Sequence, residues 1–124
     1  MSRSLYLEDV DRADEKEITG AAARLVELGL GELDICRATG SDRDEVHEWL
    51  SGRSAPQGEK AERLLELAVL VARLRTLIGA DLVSAWLNGP VPALDERRPI
   101  ELVAEGNCQD VAALLSALEG MTAS

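Results

Sequence analysis

The sequence predicts an all-α fold, and three observations carry that prediction. Apolar residues make up 46% of the 124-residue chain, yet it holds only two Trp, one Tyr and no Phe, so the core must be built from Leu, Ala, Val and Ile. Leu and Ala dominate, and both are strong helix formers, whereas an all-β chain draws on β-branched and aromatic residues. The apolar residues also recur at helical rather than alternating spacing, in stretches punctuated by Gly and Pro. The length suits one domain, or two small helical lobes sharing a core.

The elements read in order as follows. Residues 1–16 are rich in charge and read as a flexible acidic tail, with Leu5, Tyr6, Leu7 and Val10 available to anchor it to a partner. A first helix is expected from Glu17 to Leu28 on the stripe Ile18, Ala22, Leu25, Val26 and Leu28, stopped by Gly29. A short helix from Gly31 to Ala38 carries Leu33, Ile35 and Cys36. Thr39-Gly40-Ser41 makes a tight turn, and Ser41 is placed to cap a third helix, Asp42 to Leu50, that buries Val46, Trp49 and Leu50.

The longest helix is expected over Gly58 to Ile78. Its apolar residues fall on more than one face, which marks a helix covered on several sides. It reads as a spine joining two lobes or as a dimer helix, and too apolar to be satisfied by one small lobe. A homodimer or a larger assembly with a partner is therefore expected. Ala80 to Leu87 follows as a helix ending at Asn88-Gly89-Pro90, then a loop from Val91 to Arg98. Pro99 suits the first position of a short helix to Ala104, because its missing N–H costs nothing there. A last helix runs from Asn107 to Leu118 with Val111, Leu114, Leu115 and Leu118 inward, ended by Gly120. Trp49-Leu50-Ser51-Gly52 with Pro56 echoes Trp86-Leu87-Asn88-Gly89 with Pro92. A single echo is not a repeat array and reads as two helices each ending in a buried Trp.

Charge and chemistry exclude several functions. The net charge is −10, with 11 Arg and 2 Lys against 23 carboxylates. Grip on a phosphate backbone comes from Lys and Arg, so this balance favours a basic protein partner over nucleic acid. Cys36 and Cys108 lack metal-ligand spacing and read as reduced, buried thiols. The single His47 has no nucleophile or second ligand placed by any motif, so neither a multi-His metal site nor an activated nucleophile is expected. No enzyme activity and no cofactor are expected. Residues 1–17 are acidic and lack the apolar run of a signal peptide. The stretch from Leu64 to Ile78 is interrupted by Glu66, Arg73 and Arg75, too charged to span a bilayer. The expected location is cytoplasmic.

Two motifs remain. Leu33, Cys36, Gly40, Val46, Trp49-Leu50-Ser51-Gly52-Arg53 and Pro56 resemble an Xre/Cro-type helix-turn-helix, whose second helix enters the major groove. Yet Ser41 to Arg53 holds Asp42, Asp44, Glu45 and Glu48 against Arg43 and Arg53, the wrong sign for phosphate. The pair reads either as a packing scaffold or as a weak or partner-dependent DNA binder, with Arg43, His47 and Arg53 as the candidate contacts. The second motif is Trp86-Leu87-Asn88-Gly89-Pro90, Pro92-Ala93-Leu94-Asp95, then Arg97-Arg98-Pro99-Ile100-Glu101-Leu102-Val103 and Gly106.

Together these segments resemble the Xre/MbcA/ParS antitoxins over about residues 17–120. The resemblance implies an Xre-like helix-turn-helix at 17–57, a central helix at 58–79 and a toxin-binding domain at 80–124. It further implies a RES-domain toxin as partner, one that consumes NAD, with the antitoxin covering its active-site cleft. The candidate toxin contacts are Arg97, Arg98, Pro99 and Glu101 around the short helix, with Leu115, Leu118 and Met121 near the end of the chain. Residues 80–124 carry two Arg against seven carboxylates, a balance that suits a basic cleft. The alternative reading is a helix-turn-helix transcriptional regulator, autoregulatory or of prophage origin. A third is a dimeric scaffold with neither DNA nor toxin.

Overall fold

The computed structural model describes residues 20–123 and is helical throughout, apart from turns, a single 3₁₀ turn and an isolated bridge between Val91 and Arg97. The expectations for residues 1–16 and for the start of the first helix, Ile18 included, lie outside the described residues. Helix α1 covers residues 20–27 of the described chain. It is followed by α2 (Glu32–Thr39), α3 (Arg43–Ser51), α4 (Gly58–Ile78), α5 (Ala80–Asn88), the 3₁₀ turn Pro92–Leu94, α6 (Pro99–Ala104) and α7 (Cys108–Ala123).

Caps fix most of these boundaries. Helix α3 begins one residue later than the sequence suggests. Asp42, not Ser41, is its N-cap, and the Asp42 carboxylate accepts from the Glu45 N–H at 2.8 Å. A carboxylate is the stronger acceptor at the positive end of a helix, and Ser41 is left to accept from the Thr39 hydroxyl at 2.9 Å. Gly52 closes α3 in the left-handed region (φ 79°), where its own N–H and that of Arg53 reach back to Glu48. Pro99 occupies the first turn of α6 as its fixed φ favours. Helix α7 does not stop at Gly120 but continues to Ala123. A glycine inside a helix costs only about 1 kcal/mol, and Arg73 of α4 grips α7 at Glu119, with Nε and Nη2 reaching the two carboxylate oxygens at 3.1 and 2.7 Å.

Helix α4 is the centre of the molecule, packed by α2, α5, α6 and α7. Its Leu64, Leu67, Leu70, Val71 and Leu74 join Leu25, Ile35, Val46 and Trp49 from one side with Val83, Leu87, Ile100, Val103, Val111 and Leu115 from the other, in one continuous apolar cluster. Each such leucine or valine removed from water contributes about 1.5–3 kcal/mol. The apolar faces of α4 are thus largely covered within the chain, with Val69 the large exposed exception, so that helix supplies no argument for a second copy. Val26 and Leu33, counted toward the inner stripes of the first two helices, are exposed. Trp86 also departs from expectation: Trp49 is 2% exposed, but Trp86 is half-buried and only flanks the core. Among the described residues, no helix is long and apolar enough to cross a membrane.

Candidate protein-interaction surface

Two side chains from distant parts of the sequence set the surface shared by the lobes. Asp34 on α2 is buried, and its carboxylate accepts from the Gly31 N–H at 3.0 Å, the Ser84 hydroxyl at 2.7 Å and the Asn88 amide at 2.7 Å. A buried carboxylate with three donors is satisfied rather than costly. Asn88 also donates to the Ser84 carbonyl at 2.9 Å, and its Oδ1 accepts from Arg37 at 2.7 Å. This network ties α2 to α5. The Asn-Gly-Pro stretch stood out in the sequence, but nothing there paired Asn88 with Asp34, 54 positions away.

Past Asn88 the chain turns through Gly89 and Pro90. The Val91 N–H donates to the Arg97 carbonyl at 3.1 Å, closing a small loop in which Asp95 and Glu96 both adopt positive φ (58° and 62°). Left-handed non-glycine residues are uncommon and each costs of order 1 kcal/mol. The loop delivers Arg97 and Arg98 to the start of α6. Arg97 forms an ion pair with Glu105 across that helix. Arg98 is exposed and, among the described residues, has no ion pair. Helix α6 turns Ile100, Leu102 and Val103 inward and Glu101, Ala104 and Glu105 outward.

Among the described residues three depressions adjoin α5, one of them, about 520 Å³, between it and α2 at Glu32, Asp34, Ser84 and Asn88; the other two lie toward α6 and the Pro90 loop. The one toward α6, of about 610 Å³, is lined by Arg37, Asn88, Arg98, Glu101 and Glu105 over a floor of Ile100. The one toward the Pro90 loop, of about 450 Å³, is apolar, with Leu82, Trp86, Pro90 and Pro92 along its walls. Of the residues expected to meet a partner, Arg97, Arg98, Glu101 and Met121 are exposed and Leu118 is half-buried. Pro99 and Leu115 are buried, Leu115 completely. These two support the surface from beneath, because their positions fall on the inner stripes of α6 and α7.

Helices α2 and α3 are joined by a short turn through Gly40, Ser41 and Asp42, with Val46 and Trp49 packed inward. Two of the three residues expected to contact DNA, Arg43 and His47, are engaged within the chain. Glu32 Oε2 lies 3.5 Å from Arg43 and 3.1 Å from His47 Nε2. Arg53 is exposed beyond the end of α3. Cys36 and Cys108 are free and half-buried, and burial pushes both thiols up. Among the described residues, no group of three or more His, Cys, Asp or Glu side chains is gathered as a metal site would need.

Comparison with known proteins gives this geometry a context. Residues 73–120 match the antitoxin Xre/MbcA/ParS C-terminal toxin-binding domain. The chain is 31% identical over 101 residues to the mycobacterial cidal antitoxin MbcA of Mycobacterium tuberculosis, covering 82% of this chain and 87% of that protein. It is likewise 31% identical over 103 residues to a probable mycobacterial cidal antitoxin of the same organism, covering 82% and 85%. Among solved structures it resembles a chain of the crystal structure of the M. tuberculosis MbcT–MbcA toxin–antitoxin complex, with a TM-score of 0.72 and 30% identity over 82% of this chain and 94% of that one. The all-α fold, the order of its parts and the curated relatives agree: this chain belongs to the Xre/MbcA/ParS family of antitoxins.

Proposed function

We propose that the chain neutralises a cognate toxin by seating its C-terminal lobe over the toxin's active-site cleft, and that the toxin is a RES-domain enzyme that consumes NAD. The observation that carries the reading is the match of a toxin-binding domain to residues 73–120, the stretch that holds the loop and α6 and lines the depressions toward them. The electrostatics fit. A cleft that holds a dinucleotide pyrophosphate is commonly basic, and residues 80–124 are strongly acidic. Steered encounter between the two raises the association rate more than the final affinity. In this reading Arg98, Glu101, Leu118 and Met121 meet the toxin, while Pro99 and Leu115 hold the lobe in shape. Arg97 contributes through its pairing with Glu105. The assembly is a hetero-oligomer, with or without a second antitoxin copy.

The test is co-expression with the reading frame beside this gene, followed by affinity capture, weighing of the complex and an NAD-depletion assay. A partner that halts growth and depletes NAD alone, and is silenced when this chain is present, is the expected result. No complex and no toxicity would sink the reading.

A further inference from the structure

We propose that Arg37 and Arg98, one from each lobe, form a clamp for a carboxylate side chain of the toxin, so that the helix-turn-helix lobe takes part in toxin binding. The proposal rests on the antitoxin reading above and adds to it a residue outside the matched toxin-binding domain.

The argument starts at Asp34. Its buried carboxylate can only accept, so Asn88 must turn its amide nitrogen inward to reach it at 2.7 Å. That choice leaves the Asn88 carbonyl oxygen facing outward, where it accepts from Arg37 at 2.7 Å. A neutral amide therefore positions the Arg37 guanidinium at the wall of the 610 Å³ depression and leaves it without a direct carboxylate partner. Arg98 stands on the same wall, delivered by the left-handed turn at Asp95 and Glu96.

In a chain of net charge −10, carboxylates are in excess and take up many of the cations. Arg43 goes to Glu32, Arg63 to Glu62 and Glu66, Arg73 to Glu119, Arg97 to Glu105, and Lys60 to Glu45. Among the described residues neither Arg37 nor Arg98 is paired with a carboxylate. Arg24, Arg53 and Arg75 also have no carboxylate partner among the described residues, but only Arg37 and Arg98 share a depression. Glu105 on the same wall is already held by Arg97, so Glu101 is the acidic group left facing them. Two guanidinium forks beside a single carboxylate suit a second, incoming carboxylate, which Arg recognises through paired N–H donors. A phosphate would bring more charge toward Glu101 and into a strongly acidic surround.

The experiment measures binding of the full chain to the toxin encoded beside it. Its variants are Arg37→Ala, Arg98→Ala, the double variant, Asn88→Ala, and Arg75→Ala on the exposed face of α4 as a charge control. Arg37 and Arg98 are exposed, so their variants keep the fold, which circular dichroism checks. Each single clamp variant should weaken binding by about tenfold or more, chiefly through faster dissociation, while Arg75→Ala binds as the parent does. Because both residues hold one carboxylate, the double variant should lose much less than the product of the singles. Asn88→Ala also removes a donor from the buried Asp34, so its binding is measured well below its melting temperature; there it should weaken binding in the parent and add little in the Arg37→Ala background, since Asn88 positions Arg37. Parent-like binding by Arg37→Ala, or fully multiplicative losses, would overturn the clamp while leaving the antitoxin reading intact. So would loss of DNA binding in place of toxin binding. Failure of the parent chain itself to bind the toxin would overturn both, and the two failures are told apart by that first measurement.

Discussion

In the N-terminal lobe, Glu32 lies against both Arg43 and His47, two side chains on the outer face of α3, and the rest of α3 presents carboxylates. In the C-terminal lobe, Arg97 is taken by Glu105, but Arg98 beside it stays open and lines the same depression as Arg37. Both lobes are acidic and both are clipped to the central helix by an ion pair, Lys60–Glu45 on one side and Arg73–Glu119 on the other. They differ in what is left over once the internal pairs are made. The first lobe pairs Arg43 with Glu32 and leaves Arg37 held only by the neutral amide of Asn88. The second keeps a cation, a carboxylate and an apolar groove at its surface.

The largest effect should come from asking whether the lobes are separate at all. Trp49 lies in the first lobe but in the same core as Leu87 and Leu115. Trp49→Ala should cost about 3–5 kcal/mol and lower the melting of the whole chain in one transition. A thermal scan with two transitions, the second unshifted, would show lobes that fold apart. Next comes the internal lock on α3. Glu32→Gln removes the charge that holds Arg43 and His47, and low-salt binding to duplex DNA should rise severalfold, in line with the loss of one local negative charge. No rise would mean that the acidic face of α3, rather than Glu32, keeps DNA away.

The smallest effect concerns the clip on α7. The Arg73 guanidinium holds the Glu119 carboxyl below its ordinary value of 4.5. A group lowered on folding stabilises the native state above its unfolded value and loses that contribution as pH falls through the folded one. The melting temperatures of the parent chain and of Glu119→Gln should therefore differ at pH 6 and converge below pH 4.5. A gap that holds constant down to pH 3 would remove the ion pair from the account of how α7 stays docked. Because the Glu119 side chain is 40% exposed, solvent screens the pair and the gap in melting temperature is small.

Much of this protein is written locally in its sequence. The extent of α4, the proline start of α6, the Gly52 stop and the inward positions Val46, Trp49, Val111 and Leu115 follow from helical periodicity and from the backbone preferences of Pro and Gly, which act over a few residues. The family motif from Trp86 to Gly106 is legible for the same reason, since it is a run of turn and cap residues at fixed spacing. Where local signals competed, tertiary contact decided. Asp42 displaced Ser41 as a cap, and the grip of Arg73 carried α7 through Gly120. The periodicity of α4 showed that it was covered on several sides, but only packing revealed that its own chain supplies the cover. The same holds for the interaction surface. Which arginines are spent and which stay open depends on Asp34 meeting Asn88 across 54 positions and on Arg97 reaching Glu105 before Arg98 can. Hydrogen bonds and ion pairs act over a few ångströms of space and take no account of distance along the chain, so the fold alone could assign them.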